Sequence, residues 1–221
     1  MNASVEHEKL VVGRAASALV EDGMLLGLGT GSTVSHLLPA LAARGLTGLR
    51  CVSTSPRTEE AARALGLAVE PFDPIARLDM AIDGADQVDP EGWLVKGGGA
   101  AHTREKIVAG AAERFVVIIS SDKEVEALGP PIPLELLAFG LGATLGALEH
   151  AVLRDGTPVT PDGGLIADYL GDVPDPEALA LRLDAVPGVV NHGLFTPAMV
   201  AEVLIARGDQ VEHRTVSGGR R

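Results

Sequence analysis

Four short segments of this sequence set glycines beside side chains that can hold an anion or carry a proton. The first is GLGTGST, residues 27–33. Around Gly31 it offers backbone amides and the hydroxyls of Thr30, Ser32 and Thr33 where a strand gives way to a helix, which suits a phosphate. No Gly-Lys pair follows, so this is not a nucleotide P-loop. Ser32 stands where a dinucleotide fingerprint needs its third glycine, and the next strand ends without a carboxylate for a ribose. A tight turn capped by a hydroxyl is the plainer use of the same residues.

The second segment is Asp83-Gly84-Ala85-Asp86. Two carboxylates three residues apart on a turn can face one pocket and bind sugar hydroxyls, move protons or hold a metal. No His or Cys lies nearby to complete a metal set, which favours hydroxyl binding. The commoner use of such a turn is to cap its own backbone. The third segment runs Lys96-Gly97-Gly98-Gly99 into AAHTREK, residues 100–106. Its glycines let a ligand approach the backbone closely. Glu105 falls on a helical stripe with Ala101, Val108 and Ala112, where a carboxylate is costly without a partner or a task. Arg104, near the same face, is the obvious local partner. His102 reads as a solvated or capping residue. The fourth segment, Ser120-Ser121-Asp122-Lys123, puts a second lysine after an apolar run, with a helix cap and an exposed lysine as the simpler reading.

The elements around these segments must bring them together. Helical spacing marks residues 5–22, 33–44, 56–65 and 101–113. Apolar runs mark strands at 24–28, 49–53, 78–82, 93–95 and 115–119, with Val69 a further candidate. Alternating apolar strands and helices predict an α/β fold with a parallel sheet covered on both faces. In such a sheet, ligands bind at the carboxyl ends of the strands, where all four segments fall. Prolines 130, 131 and 133 mark a boundary. Beyond it, strands at 134–139, 165–169 and 189–194 alternate with helices at 141–152 and 176–185, as in a small α+β unit. Residues 202–206 and 211–216 read as two strands returning to the first unit. The expected division is 1–129 plus 201–221, and 130–200.

Composition narrows the chemistry. The net charge of −12 repels nucleic acid and anionic membranes. An anionic substrate therefore has to be captured by few cations, and only four of the 18 basic residues are lysines: Lys9, Lys96, Lys106 and Lys123. The one cysteine, Cys51, suits a reducing compartment. The opening residues lack an apolar signal core, and the longest uncharged apolar stretch, 136–148, is too short to cross a bilayer. A cytoplasmic protein is expected. Together the segments supply a phosphate cradle, two carboxylates, two ammonium groups and a carboxylate base. No metal cluster, cofactor motif or Ser-His-Asp order accompanies them. That set fits proton transfer next to a carbonyl in a small phosphorylated molecule.

GLGTGST, DGADQVD, KGGGAAHTREKI and SDKEVEALG, in this order, closely resemble the signature segments of ribose-5-phosphate isomerase, type A. The resemblance is strongest over 27–129 and continues faintly in PIPLELLAFG and PGVVNHGLF. It implies a Rossmann-like domain with a smaller α+β, ferredoxin-like domain, and a homodimer or dimer of dimers. It also implies interconversion of ribose 5-phosphate and ribulose 5-phosphate in the non-oxidative pentose phosphate pathway, without metal or cofactor. Carried over by motif, Thr30, Gly31, Ser32, Thr33, Asp83, Gly84, Ala85, Asp86, Lys96, Gly97, Gly98, Gly99 and Lys123 bind substrate. Lys9 falls where the family often has a further basic residue near the phosphate. Glu105 becomes the proton-transferring base, with Asp83, Asp86 or Lys96 handling hydroxyl protons. Gln87 and Asn191 stand where the family usually has Glu, and Pro161-Asp162-Gly163-Gly164 replaces an Asp-Asn-Gly-Asn turn. The principal alternative is a non-catalytic sugar-phosphate-binding module of related fold. An amino-sugar-phosphate deaminase and an NAD-dependent dehydrogenase fit the acid/base set and the glycine pattern less well.

Overall fold

A computed structural model describes residues 3–216. Residues 1–2 and 217–221 of the expected 1–129 plus 201–221 unit lie outside the described residues. The chain opens with α1 (Ala3–Ser17), β1 (Leu25–Leu28), α2 (Ser32–Ala43), β2 (Arg50–Ser53), α3 (Pro56–Ala64) and β3 (Leu78–Asp83). Two short strands, β4 (Gln87–Val88) and β5 (Leu94–Val95), precede α4 (His102–Ala111) and the long β6 (Ala112–Ser120). Then come β7 (Ile132–Leu136), α5 (Leu141–Leu148), β8 (Ala151–Leu153), β9 (Leu165–Tyr169), α6 (Pro176–Asp184) and β10 (Val189–His192). The last elements are β11 (Leu194–Phe195), β12 (Glu202–Arg207) and β13 (Gln210–Thr215).

The main sheet has the order β13-β12-β6-β3-β1-β2, parallel throughout except for β13 at one edge. The side chains of a strand alternate between its two faces, so an all-apolar strand feeds two cores. Val116 and Ile118 of β6 join Leu26, Leu28 and Ile82 beneath α1 and α2, where Val12, Leu37 and Leu41 close the layer. Val117 and Ile119 point the other way, into a core with Val203, Ile205 and the α4 residues Val108 and Ala109. Both faces are thus covered, and function is left to the carboxyl edge.

The four-stranded antiparallel sheet, β10-β7-β9-β8, packs α5 and α6 around Leu134, Tyr169 and Leu183. A third sheet has three strands, in the order β11-β5-β4. It pairs strands from residues 87–95 with a strand at 194–195. The C-terminal strands join the main sheet: β12 runs parallel to β6, from Glu202 opposite Val116 to Ala206 opposite Ser120.

Several boundaries differ from the sequence reading. The helix expected over 5–22 ends at Ser17, and the one over 101–113 ends at Ala111, where β6 starts at the next residue. The helix expected over 141–152 stops at Leu148 because Glu149 turns the chain with φ 58°, and Ala151–Leu153 becomes the edge strand β8. No glycine marks that turn. Val69 makes only an isolated bridge to Cys51.

Candidate active site

The centre of the site is a buried ammonium. Lys96 follows β5, with 2% of its surface exposed, and three oxygens surround its Nζ. Asp83 Oδ2 lies at 2.9 Å, Glu105 Oε2 at 3.1 Å, and the Gly84 carbonyl accepts a hydrogen bond at 2.5 Å. Each partner comes from a different element: Asp83 ends β3, Gly84 opens its turn, and Glu105 sits in the first turn of α4. Asp83 and Glu105 are each 4% exposed.

Backbone donors complete the Asp83 carboxylate. Its Oδ1 accepts from the N–H of Thr30 at 3.0 Å and of Gly84 at 2.7 Å. This approach explains Gly29: a Cβ there would lie 1.9 Å from the Asp83 carboxyl carbon. Gly31, with φ 125°, lets the chain turn into α2. The second carboxylate of the pair does a different job. Asp86 accepts from the Gly98 N–H at 2.7 Å and so anchors the glycine loop.

Charge and burial set the protonation of the triad. Burial works against the Lys96 ammonium, but the carboxylates of Asp83 and Glu105 overcome it and hold its pKa above the ordinary lysine value. Glu105 is pushed up to about 8, first by burial and then by the negative charge of Asp83, with Lys96 pulling it back in part. Asp83 is also raised by burial, against Lys96 and the two amides. Its two backbone donors make Asp83 the better-held anion, so the exchangeable proton of the pair belongs on Glu105.

A small cavity of about 130 Å³ opens beside this triad. Thr30, Gly31, Ser32 and Thr33 form one side, Gly84, Ala85 and Asp86 another, and Lys96, Gly97, Gly98, Gly99 and Glu105 a third. Lys9 and Lys123 close it. Of the candidate residues, only Asp83 does not line it; it is buried against Lys96. Lys9, on α1, donates to Glu6 at 2.7 Å, and Lys123 lies 3.6 Å from Asp122 in the short 3-10 turn Ser121–Lys123. A larger groove of about 530 Å³ adjoins the cavity, shares Thr30, Gly31, Ser32 and Gly99 with it, and is walled by Leu38, Pro56, Pro158 and Val159.

Three local expectations do not hold. Arg104 does not pair with Glu105; its guanidinium makes a two-pronged bond to Asp162, at 2.6 and 2.7 Å, in the turn that departs from the family pattern. An exposed carboxylate across the cleft is within reach of its long side chain, while Glu105 points inward. His102 is not solvated: it is 0% exposed, and burial pushes its pKa down to about 3. It packs under the loop, where a Cβ on Gly97 would stand 2.7 Å from its Nδ1. Asp122 accepts from the Ser120 hydroxyl at 2.5 Å, so the cap on this turn is not the one expected.

Other residues of the site left no mark in the sequence. Arg154, from the second half of the chain, pairs with Asp168 and donates to the carbonyls of Gly97 and Gly98 at 3.1 and 3.2 Å. It reads locally as part of an Arg-Asp-Gly turn. Glu8 accepts from the Ser121 N–H and hydroxyl at 2.9 and 2.8 Å, and from the Gly208 N–H at 2.9 Å, so it ties α1 and Lys9 to the turn of Lys123. The Thr30 hydroxyl meets those of Thr54 and Ser55, at 2.7 and 2.8 Å. Among the described residues, no three His, Cys, Asp or Glu side chains gather as metal ligands.

The raised carboxyl makes stability depend on pH with a definite sign. Folding lifts Glu105 from its ordinary 4.5 to about 8, so the folded chain binds a proton that the unfolded chain releases between those values. Its stabilising contribution is complete below the lower value and is lost as pH rises through the upper one. Wild-type stability to urea should therefore fall between about pH 5 and pH 8.5 by more than that of Glu105→Gln, which cannot ionise. Equal changes in the two proteins would mean that Glu105 is already ionised at the lower pH.

Comparison with known proteins identifies the family and the fold. The sequence profile of the family Ribose 5-phosphate isomerase A (phosphoriboisomerase A) matches residues 50–210. The chain is 46% identical to ribose-5-phosphate isomerase A of Methylorubrum extorquens, over 90% of this chain and 92% of that protein. It is 44% identical to that of Brucella suis, over 86% and 90%. The solved ribose 5-phosphate isomerase A of Methanocaldococcus jannaschii superposes with a TM-score of 0.88 at 34% identity, covering 94% of this chain and 98% of its own. A D-ribose-5-phosphate isomerase in complex with phospho-erythronic acid superposes at 0.90 with 31% identity, covering 97% and 100%. With its motifs in order, its fold matched over nearly its whole length and its profile match spanning most of the sequence, this chain belongs to the ribose 5-phosphate isomerase A family.

Proposed function

We propose that the cavity beside Lys96 is where this chain, an aldose–ketose isomerase, interconverts ribose 5-phosphate and ribulose 5-phosphate. One observation carries the assignment of roles: a buried carboxylate, Glu105, sits 3.1 Å from a buried ammonium at the edge of a glycine-lined polar cavity. Burial raises that carboxyl to about 8, in the range where a carboxylate can work as a base near neutral pH.

The phosphate is held by Lys9 and Lys123 together with the hydroxyls of Ser32 and Thr33 and the amides at the start of α2. Asp86 and the amides of Gly97 to Gly99 contact sugar hydroxyls. After ring opening, Glu105 in its ionised form, which a pKa of about 8 leaves available near neutral pH, takes the C2 proton, and the electron pair of that C–H bond becomes the new C1–C2 double bond. The C1 carbonyl oxygen becomes an enediolate oxygen, next to the Lys96 ammonium, whose charge is stabilised as it develops. Glu105 then returns the proton to C1, and the C2 oxygen becomes the ketone as its hydroxyl proton passes to the neighbouring oxygen. Asp83 keeps Lys96 charged and placed throughout. No metal or cofactor takes part in this route.

The surrounding organisation belongs to the same reading. One unit, 1–129 with 201–221, carries the triad, and a second, 130–200, supplies Arg154 and Asp162 to the rim; the separate main and antiparallel sheets support this division. No described helix is long and apolar enough to cross a membrane. A cytoplasmic location fits the single buried cysteine, Cys51. A homodimer or dimer of dimers is supported by the outward-facing Phe139, 93% exposed, with Leu137, Ile107 and Val190 also exposed.

Four measurements test this. Purified protein should form ketose from ribose 5-phosphate in the presence of a chelator, and Glu105→Gln should lower kcat by about 10²- to 10⁴-fold with KM little changed. A variant within about threefold of wild type would move the base role away from Glu105. Lys123→Ala should raise KM more than it lowers kcat, since a phosphate contact persists from ground state to transition state; an unchanged KM would return Lys123 to a capping role. Sedimentation velocity should give a dimer or tetramer that Phe139→Lys weakens. A wild-type monomer at micromolar concentration would end the assembly reading.

A further inference from the structure

Glu105 and Lys96 sit on separate elements, and their 3.1 Å contact must be fixed by something outside the reacting groups. Residues 191–195 touch both supports. On one side this segment clamps the strand end that carries Lys96. The Lys96 N–H donates to the Gly193 carbonyl at 2.8 Å, and β11 pairs with β5, Leu194 opposite Val95 and Phe195 opposite Leu94. Gly193 must be glycine here, since a Cβ would stand 2.2 Å from the Lys96 carbonyl oxygen. Its own N–H donates to the Pro133 carbonyl on β7 at 2.7 Å, which pins the segment from behind.

On the other side the same segment holds α4. Lys106, the residue after Glu105, turns away from the cavity, and its Nζ donates to the His192 carbonyl at 2.6 Å and to Asn191 Oδ1 at 2.8 Å. The Phe195 ring, fully buried, lies against both ammonium groups: its centroid is 5.5 Å from Lys96 Nζ and 5.0 Å from Lys106 Nζ, within cation–π range. The imidazole of His192, itself paired with Asp184 at 3.2 Å, completes the surroundings of Lys106. Burial of this ammonium works against it, lowering its pKa to about 8 despite Asp184. A half-buried ammonium with these partners costs desolvation that a purely packing side chain would not.

We infer that Lys106 and Phe195 are positioning residues, which lock α4 and the end of β5 onto residues 191–195 and thereby set the separation of Glu105 from Lys96. The inference rests on the roles of Glu105 and Lys96 given above. Neither Lys106 nor Phe195 touches the cavity, so they act on the chemistry only through those two groups. A misplacement of about 1 Å at a reacting group can cost 10²-fold in rate.

Lys106→Met keeps the length and apolar bulk of the side chain and removes its donors. The expected result is a fall in kcat of about 10- to 100-fold with KM within about twofold, because the phosphate contacts lie elsewhere. Lys106→Arg, which can still donate to the His192 carbonyl, should regain most of the loss. Phe195→Leu removes the ring but keeps the site filled, and should lower kcat by about 3- to 10-fold. A lysine with only a packing role would move the melting temperature and spare turnover. Lys106→Met with kcat within about twofold of wild type overturns the inference, whatever its melting temperature. If that variant does not fold, Phe195→Leu decides alone, and unchanged kcat there overturns it equally. Glu105→Gln measured alongside separates the two readings. Lost turnover in Glu105→Gln with intact turnover in Lys106→Met removes the clamp and leaves the base, whereas intact turnover in Glu105→Gln removes both.

Discussion

One ammonium shared by two buried carboxylates is the constraint around which this chain is arranged. Lys96, Asp83 and Glu105 can be buried together only because each offsets the cost of the others. Removing Lys96 leaves Asp83 an unpaired charge in a dry place, whereas removing Glu105 leaves Lys96 and Asp83 as a balanced pair. The arrangement is also unbalanced, with two carboxylates for one cation, and that imbalance has a chemical use. It leaves one carboxyl holding its proton near neutral pH, and the amides of Thr30 and Gly84 decide which one by favouring the ionised form of Asp83.

The fold follows from the need to bring these groups in from separate elements. Asp83 arrives at the end of a central parallel strand, Lys96 at the end of a short strand in a different sheet, and Glu105 on the helix that covers the second core. Glycines stand where the approach is closest, at Gly29 against Asp83 and at Gly193 against Lys96. The rim is built from the other half of the chain, where Arg154 holds the glycine loop and Asp162 holds Arg104.

Much of this was legible in the sequence, for definable reasons. Buried parallel strands read as continuous apolar runs, so the alternation of strands and helices up to β6 was plain, and the apolar run at 202–206 marked β12, though nothing local to it says which sheet it joins. Ligand-binding turns at strand ends carry glycine and charge together, which made residues 30–33, 83–86 and 96–99 stand out. What escaped has a common cause in contacts between residues far apart along the chain. Arg104 lies 58 positions from Asp162, Arg154 lies 57 from Gly97, and Glu8 lies 113 from Ser121. No local spacing announces such partners, so Arg104 was assigned to its neighbour Glu105. His102 was misread for a related reason: its helix-start position is polar in sequence, but Gly97 and the strands beneath bury it. The edge strand β8 was missed because Glu149 makes the turn that a glycine would have advertised.

The position of β12 bears on how the chain reaches this state during synthesis. Its partner β6, nine residues of which Phe115 to Ser120 are fully enclosed in the finished protein, is complete some eighty residues before β12 emerges. Until then the growing chain carries a long apolar strand with one open edge, a template for pairing with another chain. The whole segment from β7 to β10 must be made during that interval. The last strands therefore act as a seal. They close the sheet only after the half of the molecule that supplies the rim of the cavity already exists, and the same insertion order exposes the nascent chain to aggregation for longest at its most apolar strand.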